Sequence, residues 1–551
     1  MKEEPMQAEV SKPENMPVES TQLPSSEQPF ENDINGYLSG KTLYSLALSL
    51  SICMLLVNIE LTVVSTALTS ITNDLHGFDK TGWIVTGYLV TYSSTLIIWT
   101  KVSDIFGRKS SIITAVLLFT AFSGACGAAQ TITQIIICRV FQGIGAAGSM
   151  ALVFAISFEM IPKHKFPTYT ALFSVVTTMG NLVGPLIGGG FSEKSMWRWA
   201  FLFNVPAGAL ALALLFICVP GGFPHQNDPA YVSRSLKEKF SKSSISKIDG
   251  TGAFLFLGAS LLLVTVLLGA GNQFAWHSAT SISLFVISGV LWILFVWNER
   301  LVTDEKKRTE PIFPWRFVVN RKWMGALMLS LLSGIPFNAV TINIPQRFQV
   351  VDGMSPVAAG VHLIPFNALI AFGTVIANVI VGKAHIPLIY LMFIGSILQI
   401  VGISLMSTIP NGLNVNSAIY GYEAIAGLGI GIVYGMVIVI PPHIVERRDL
   451  AISSGALLQF RAFGGAIGLA ITSAAMNNYL SSRLQHIIDP AQIAEIFRSS
   501  SSIASFSPET QGNILEAFAE SYSLQMKIMA AFSGLQLLLV SLVWAKPQIR
   551  V

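Results

Sequence analysis

Four ionisable side chains sit inside apolar stretches where a charge has to be accounted for. Glu60 lies in Asn58-Ile-Glu60-Leu-Thr62-Val-Val-Ser-Thr66-Ala-Leu, and Arg139 in Arg139-Val-Phe-Gln142-Gly143-Ile-Gly145-Ala-Ala-Gly148. Glu423 lies in Tyr420-Gly-Tyr422-Glu423-Ala-Ile-Ala-Gly427, and Arg461 in Gln459-Phe460-Arg461-Ala-Phe-Gly464-Gly465. A charge at the centre of a membrane span costs at least a few kcal/mol on insertion scales, so each should face protein and find a partner. Desolvation penalises a charged carboxylate, which suits Glu60 to binding and releasing protons; the alternative is a satisfied structural acid. Arg139 either meets an acid or bonds backbone carbonyls. Arg461 is either a structural tether or the partner of Glu423, and Glu423 could instead face a substrate.

Two further patterns carry mechanical rather than chemical information. Lys101-Val-Ser-Asp104-Ile-Phe-Gly107-Arg108-Lys109 places an acid at a helix end and two bases after a tight glycine turn. Asp104 can hold a neighbouring helix end or a loop base in one conformation and release it in another; an ordinary basic loop is the alternative. Gly180-Asn-Leu-Val-Gly184-Pro185-Leu-Ile-Gly188-Gly189-Gly190 sets glycines on one helix stripe. Such a stripe lets a second helix approach closely, and Pro185 removes one backbone hydrogen bond and bends the helix. His362 reads as a hydrogen-bonded core histidine or a relay. Asn338, Asn343, Gln346 and Asn367 line a cavity or bond neighbouring helices. Cys53, Cys126, Cys138 and Cys218 all lie in apolar runs with no CxxC, so no disulfide framework, metal site or cofactor is expected.

The elements that carry these residues follow from composition. Of 551 residues, 52% are hydrophobic and 12% charged, against roughly 25% charged in a soluble domain. Mean hydropathy is +0.61. The net charge of +4 is too small for a nucleic-acid binder. Crossing a bilayer core takes about 20 apolar residues in helix, and 14 such runs are present. Six fall in 43–219, two in 250–298 and six in 324–545, with polar joins at 220–249 and 299–323 and a short end at 546–551. The tail 1–42 is acidic and proline-rich, cannot bury a core and has no apolar segment of a signal peptide. With both termini cytoplasmic, inside segments carry 25 of the 34 Lys and Arg, outside loops seven, and spans the remaining Arg139 and Arg461; that bias sets orientation. The outside loop 477–525 holds two helix-start signals, Asp489-Pro490 and Ser507-Pro508-Glu509. They predict two short amphipathic helices on the outer surface; a poorly ordered loop is the alternative.

The DIFGRK loop, the RxxQGxGxxG helix, the GxxxGPxxGG stripe and the acid before TVVSTAL together resemble the major facilitator superfamily. The 14-span layout resembles its drug:H⁺ antiporter branch of fungal-type efflux pumps. Trp197-Arg198-Trp199 with Asn204-Val-Pro206, and Gln349 with Gly353-Met-Ser355-Pro356, are similar to that branch too. Three positions depart from the pattern: Thr100 stands for Gly, Ile105 for Arg, and Glu60 for Asp. The resemblance implies an all-α membrane protein of two six-helix bundles plus two extra helices, with a cavity that alternates between sides. It implies Glu60 and Arg139 in proton coupling, Asp104, Gly107, Arg108 and Lys109 in a cytoplasmic gate, and Gly180, Gly184, Pro185, Gly188 and Gly189 in the antiporter motif.

The expected function is proton-driven export of small, largely apolar organic compounds: xenobiotics, toxins or secondary metabolites. The expected partners are that solute, protons and the bilayer, with no nucleic acid, and the chain is expected to act as a monomer in the plasma membrane. Alternatives are a vacuolar transporter of basic amino acids or other small solutes, and a non-transporting receptor. No GxxxxGK[ST] is present and no nucleophile–base cluster, so neither ATP nor enzyme chemistry is expected. Counting 1.5 Å per residue puts Glu60 and Arg139 in the same outer third of the membrane. The same counting puts Glu423 and Arg461 at matching depth, about 10 and 13–14 Å below the outer edge, and predicts a second buried pair.

Overall fold

A computed structural model of the chain describes residues 37–75, 81–193, 196–224, 249–271, 273–304, 309–409, 416–489, 492–493, 496 and 500–550. Most of the acidic tail, most of the 220–249 join and Pro490 of the Asp489-Pro490 helix start lie outside them. Fourteen long helices account for nearly all of what is described. In the first half these are α1 (Gly40–Leu75), α2 (Thr81–Phe106), α3 (Arg108–Ala128), α4 (Ile132–Met160), α5 (Phe166–Glu193) and α6 (Asn204–Cys218). Two follow in the middle, α7 (Gly250–Gly269) and α8 (Ala279–Asp304). The second half holds α9 (Arg321–Val350), α10 (Ile364–Ala384), α11 (Leu388–Met406), α12 (Ala418–Val439), α13 (Leu450–Leu484) and α14 (Pro508–Leu539). Thirteen of them are long and apolar enough to cross a membrane. The exception, α2, is 26 residues long but rich in Thr, Ser and Tyr. Its polar side chains turn inward, with Ser94, Thr95 and Thr100 all buried.

The two six-helix sets repeat one packing scheme. In the first, α1 packs on α4, α5 and α6, α4 on α2 and α3, and α3 on α6. In the second, α9 packs on α12, α13 and α14, α12 on α10 and α11, and α11 on α14. The halves meet along α2 with α13 and α5 with α10, again a matched pair. Outward faces are apolar: Ile217, Phe254, Ile293 and Leu538 are all more than two-thirds exposed. A face made of such residues belongs in lipid. The extra pair α7–α8 lies over the α2–α13 seam, where Val264 packs with Val90, Phe463 and Ala466.

The start of α1 and the last described residues share one face, where Leu38 N–H donates to Met160 O at 3.1 Å and Leu388 N–H to Ile549 O at 3.3 Å. We call it the terminal face. In this half the bundles share their cores. Tyr434 and Ile438 of α12 belong to the cluster of Met150 and Phe154 of α4. Ile97 of α2 belongs to the cluster of Val433, Val437 and Ala456. Toward the opposite face each bundle keeps its own core, one around Ile59, Val63, Ile135 and Phe201 and one around Ile335, Phe348, Phe366 and Met529. The bundles are thus packed shut at the terminal face.

The segment 477–525 differs from the sequence expectation. Ser507 does cap a helix, its Oγ accepting from Thr510 N–H at 3.3 Å. That helix does not stop after a few turns: it is the start of α14, 32 residues long. α13 likewise runs on for 35 residues to Leu484. The two extensions pack together through Leu480, Leu484, Ile514, Phe518 and Tyr522. An amphipathic start continuous with an apolar span has no reason to break there, because no Pro follows Pro508 within α14 and its two glycines, Gly512 and Gly534, are isolated.

Candidate functional site

Glu60 and Arg139 meet in the middle of the first bundle. α1 carries Glu60 on the side that faces α4 and α6, and α4 carries Arg139 beneath it. Arg139 Nη1 donates to Glu60 Oε1 and to Gln142 Oε1 at 2.8 Å, and its Nε donates to Ile84 O at 3.2 Å. Both sequence alternatives for Arg139, an acid and a backbone carbonyl, are therefore used at once. The guanidinium also lies over the Tyr88 ring, 4.1 Å from its centroid, a cation–π contact. Glu60 Oε2 accepts from Asn204 Nδ2 at 2.6 Å. Glu60 is 0% and Arg139 2% exposed, so water screens neither, and the pair persists because both carboxylate oxygens and two guanidinium nitrogens are hydrogen-bonded. Gln142 Nε2 in turn donates to Ser123 Oγ at 2.7 Å, fixing the amide from α3. Glu60 thus bridges α1, α4 and α6, and any motion among those helices changes its environment.

The second group sits at the terminal face. Gly107 has φ +93°, a conformation that costs other residues strain, and it allows α2 to end and α3 to begin within one residue. The turn aims Arg108 back toward α2. Arg108 Nη1 reaches Asp104 Oδ1 at 2.5 Å, while its Nη2 and Nε grip Glu159 at 2.7 and 2.9 Å. Glu159, near the end of α4, is not legible in the sequence as a site residue: 51 positions separate it from Arg108, and it ends an otherwise apolar run. Lys109 turns elsewhere, donating to Phe216 O and Val219 O at 2.7 Å each, where it caps the end of α6. Asp104 makes its ion pair inside the first bundle rather than with the second. The link beyond that bundle comes from Lys101, whose Nζ reaches Glu310 Oε2 at 3.0 Å. Thr100, where glycine is usual, packs its methyl against Gly455 of α13. A glycine on the facing helix makes room for the larger side chain.

The glycine stripe of α5 seats α1. A side chain at Gly180 would meet Asn58 and Leu55 O, and one at Gly184 would meet Thr62 and Ile59 O. Gly188 and Gly189 are buried, and a side chain at Gly189 would meet Val357 of the other half. Pro185 lies inside α5, facing Gly360.

Glu423 and Arg461 do not meet. Both carboxylate oxygens of Glu423 are buried without a hydrogen-bond partner. Arg461 stacks instead between Tyr434, 3.6 Å from the ring centroid, and Phe337, at 4.5 Å. Tyr434 lies 11 residues past Glu423 on α12, about 16 Å along the axis. Depth counted from assumed span ends therefore does not place the two side chains together, and depth says nothing of which way a side chain turns. His362 is hydrogen-bonded, its Nδ1 lying 2.5 Å from Tyr420 Oη.

Two repeated six-helix bundles, apolar on the outside, with buried charges held between helices, define a multi-pass membrane transporter. The chain belongs to the Major Facilitator Superfamily, whose pattern matches residues 50–469. It is 40% identical over 513 residues to the MFS-type transporter FPY5 of Fusarium mangiferae, covering 93% of this chain and 85% of that one. It is 28% identical to the rubrofusarin-specific efflux pump aurT of Gibberella zeae (84% and 82% covered). It is 29% identical to multidrug resistance protein 3 of Bacillus subtilis (79% and 80%). Among solved structures, a bacterial homologue of the human lysosomal transporter Spinster, inward-facing, superposes with TM-score 0.57 at 14% identity, covering 92% of this chain and 100% of that one. The proton:xylose symporter XylE superposes with TM-score 0.56 at 15% identity (89% and 94%). At these identities the structures speak for the fold alone.

Proposed function

We propose that the chain exports small, largely apolar organic compounds from the cytosol in exchange for protons, by alternating access between its two bundles. The observation that carries this reading is Glu60, a fully buried carboxylate held by Arg139 and Asn204 from two other helices. In such a place the charge of the acid depends on Arg139 staying beside it. A movement of α1 against α4 that separates them makes the acid take a proton; the return movement expels it. Similarity to a rubrofusarin-specific pump and to a multidrug resistance protein supports export as the direction and secondary metabolites or toxins as the cargo.

Both termini are then cytoplasmic, in keeping with the bias of Lys and Arg, and the terminal face, packed shut here, is the inner one. Asp104, Gly107, Arg108 and Glu159 act as the inner gate, with Lys109 holding the end of α6, and Gly180, Gly184, Pro185, Gly188 and Gly189 keep α5 tight against α1 so that protons do not leak. The chain works as a monomer in the plasma membrane. The decisive test is Glu60→Gln in proteoliposomes, with cargo found by a toxicity screen of a deletion strain. Transport driven by a pH gradient should be lost, while exchange of labelled for unlabelled cargo continues. Undiminished pH-driven transport by this variant would sink the assignment.

A further inference from the structure

The repeat that relates the two bundles places Glu423 opposite Arg139. Arg139-Val-Phe-Gln142-Gly143-Ile-Gly145 in α4 and Glu423-Ala-Ile-Ala426-Gly427-Leu-Gly429 in α12 align with no gap. The glycines verify the register. A side chain at Gly143 would meet Tyr88 of α2, and one at Gly427 would meet Phe366 of α10, the equivalent helix. A side chain at Gly145 would meet Phe119 of α3, and one at Gly429 would meet Gln399 of α11.

The same comparison finds the position that corresponds to Glu60. Gly180 and Gly184 of α5 approach Leu55 O and Ile59 O of α1, and Gly464 and Gly468 of α13 approach Leu331 O and Ile335 O of α9. Leu331 therefore matches Leu55 and Ile335 matches Ile59, so the residue matching Glu60 is Pro336. The second bundle has the sign of its α12 charge reversed, and no described residue offers a charge to answer it. Gln142, which supports Arg139, is replaced by Ala426.

Glu423 is 0% exposed, and neither of its oxygens has a hydrogen-bond donor. Among the described residues, the titratable groups on the helices packed around α12 at this end have contacts of their own. His362, ahead of α10, bonds Tyr420 at 2.5 Å. Arg347, at the end of α9, pairs with Asp352 at 3.5 Å. Tyr522 of α14 packs with Val351 and Phe518, Tyr422 is half-buried on α12 itself, and α11 carries no Asp, Glu, Lys, Arg or His. None donates to Glu423. An ionised carboxylate in such a place has neither solvent nor counter-charge, a state proteins avoid by neutralising the group.

We propose that Glu423 is a second proton-binding site, in the carboxyl-terminal bundle, separate from Glu60 and Arg139. With the α9–α12 packing closed, as here, it carries a proton. When that packing opens toward the face opposite the termini, Glu423 meets water and gives the proton up. This rests on the reading of the chain as a proton-coupled transporter, but the site is testable without it.

The test is infrared difference spectroscopy between two pH values on the purified full-length chain in lipid nanodiscs, with proton uptake titrated in parallel. No cargo is needed. The parent should show a protonated-carboxyl band that disappears in Glu423→Gln and moves in Glu423→Asp, and Glu423→Gln should take up about one proton fewer per chain on acidification. The band should survive in Glu60→Gln, so loss of the Glu60 reading leaves this result standing. A band and a proton count that are the same in parent and Glu423→Gln overturn the proposal. Should Glu423→Gln fail to fold, labelling of the parent with dicyclohexylcarbodiimide, which attacks protonated carboxyls in apolar surroundings, decides the matter. An adduct mapped to Glu423 supports the site, and an adduct on other carboxyls with none on Glu423 refutes it.

Discussion

A charged residue inside a membrane span announces its importance through its cost, and this is why Glu60 and Arg139 stand out in the bare sequence. Each is an isolated charge in an apolar run, and both fall near one depth, so a pair is the economical expectation; the fold brings them together. The same logic misleads at Glu423 and Arg461, where the counted depths match but Arg461 lies beside Tyr434, about three turns along α12 from Glu423. Arg461 satisfies itself on the faces of Tyr434 and Phe337, a solution that sequence spacing does not reveal because the rings come from two other helices. Glu159 escapes notice for the converse reason: an acid at the end of an apolar run looks like ordinary interface polarity, and only the turn at Gly107 shows that Arg108 reaches it. The separation of Glu423 from Arg461 has a measurable consequence. Thermal or denaturant unfolding of Glu423→Gln, Arg461→Leu and the double variant should give effects that add to within about 0.5 kcal/mol, as for sites that share no partner. A double variant clearly more stable than that sum would mean the two charges do interact.

At the scale of elements, the helices and the glycine stripes are legible in the sequence and the ends are not. Fourteen apolar runs become fourteen long helices because a bilayer leaves an apolar run of this length little choice but to span it as helix. The last two helices outgrow their runs, since extensions of α13 and α14 bury Leu484 and Phe518 in one cluster. The stripe in α5 shows what an element demands of single positions. Gly184 faces the backbone of α1 at Ile59 and the side chain of Thr62, with no flexible side chain to yield on the backbone side. Gly184→Val should push α1 away, costing about 1–3 kcal/mol as overpacking does. It should also lose net export at normal delivery to the membrane, because α1 carries Glu60 next to the contacted Ile59. Melting temperature and efflux of the same preparation read both effects; a variant that pumps normally reduces the stripe to tolerant packing.

The whole molecule adds a connection that neither bundle contains. The stretch between α8 and α9 crosses the terminal face, buried through Ile312, Phe313 and Phe317 and held by Ile312 N–H donating to Glu299 Oε1 at 3.1 Å. At one end Glu310 reaches Lys101 of α2, at 3.0 Å. At the other, Arg316 grips Asp449, at the start of α13, through two bonds of 2.5 and 2.6 Å. One short segment thus ties the first bundle to the second across the face that is packed shut. Opening that face requires α2 and α13 to part, which the segment cannot follow while both ion pairs hold. A single exposed pair contributes about 0–1 kcal/mol. The Asp449 pair should be worth more, because its carboxylate is 3% exposed and its geometry is bidentate. Each ~1.4 kcal/mol removed shifts a two-state population about tenfold. Asp449→Asn should therefore enlarge the population open at the terminal face, and Glu310→Gln, whose side chain is 53% exposed, should do so less. Spin labels at Lys165 and Lys383, both exposed on that face, one in each bundle beside the contact of Pro167 with Gly382, report the gap by pulsed electron resonance. A longer-distance component that grows in the order parent, Glu310→Gln, Asp449→Asn is the expected result. Distance distributions that superimpose for all three would show that the segment rides on the closed face without holding it.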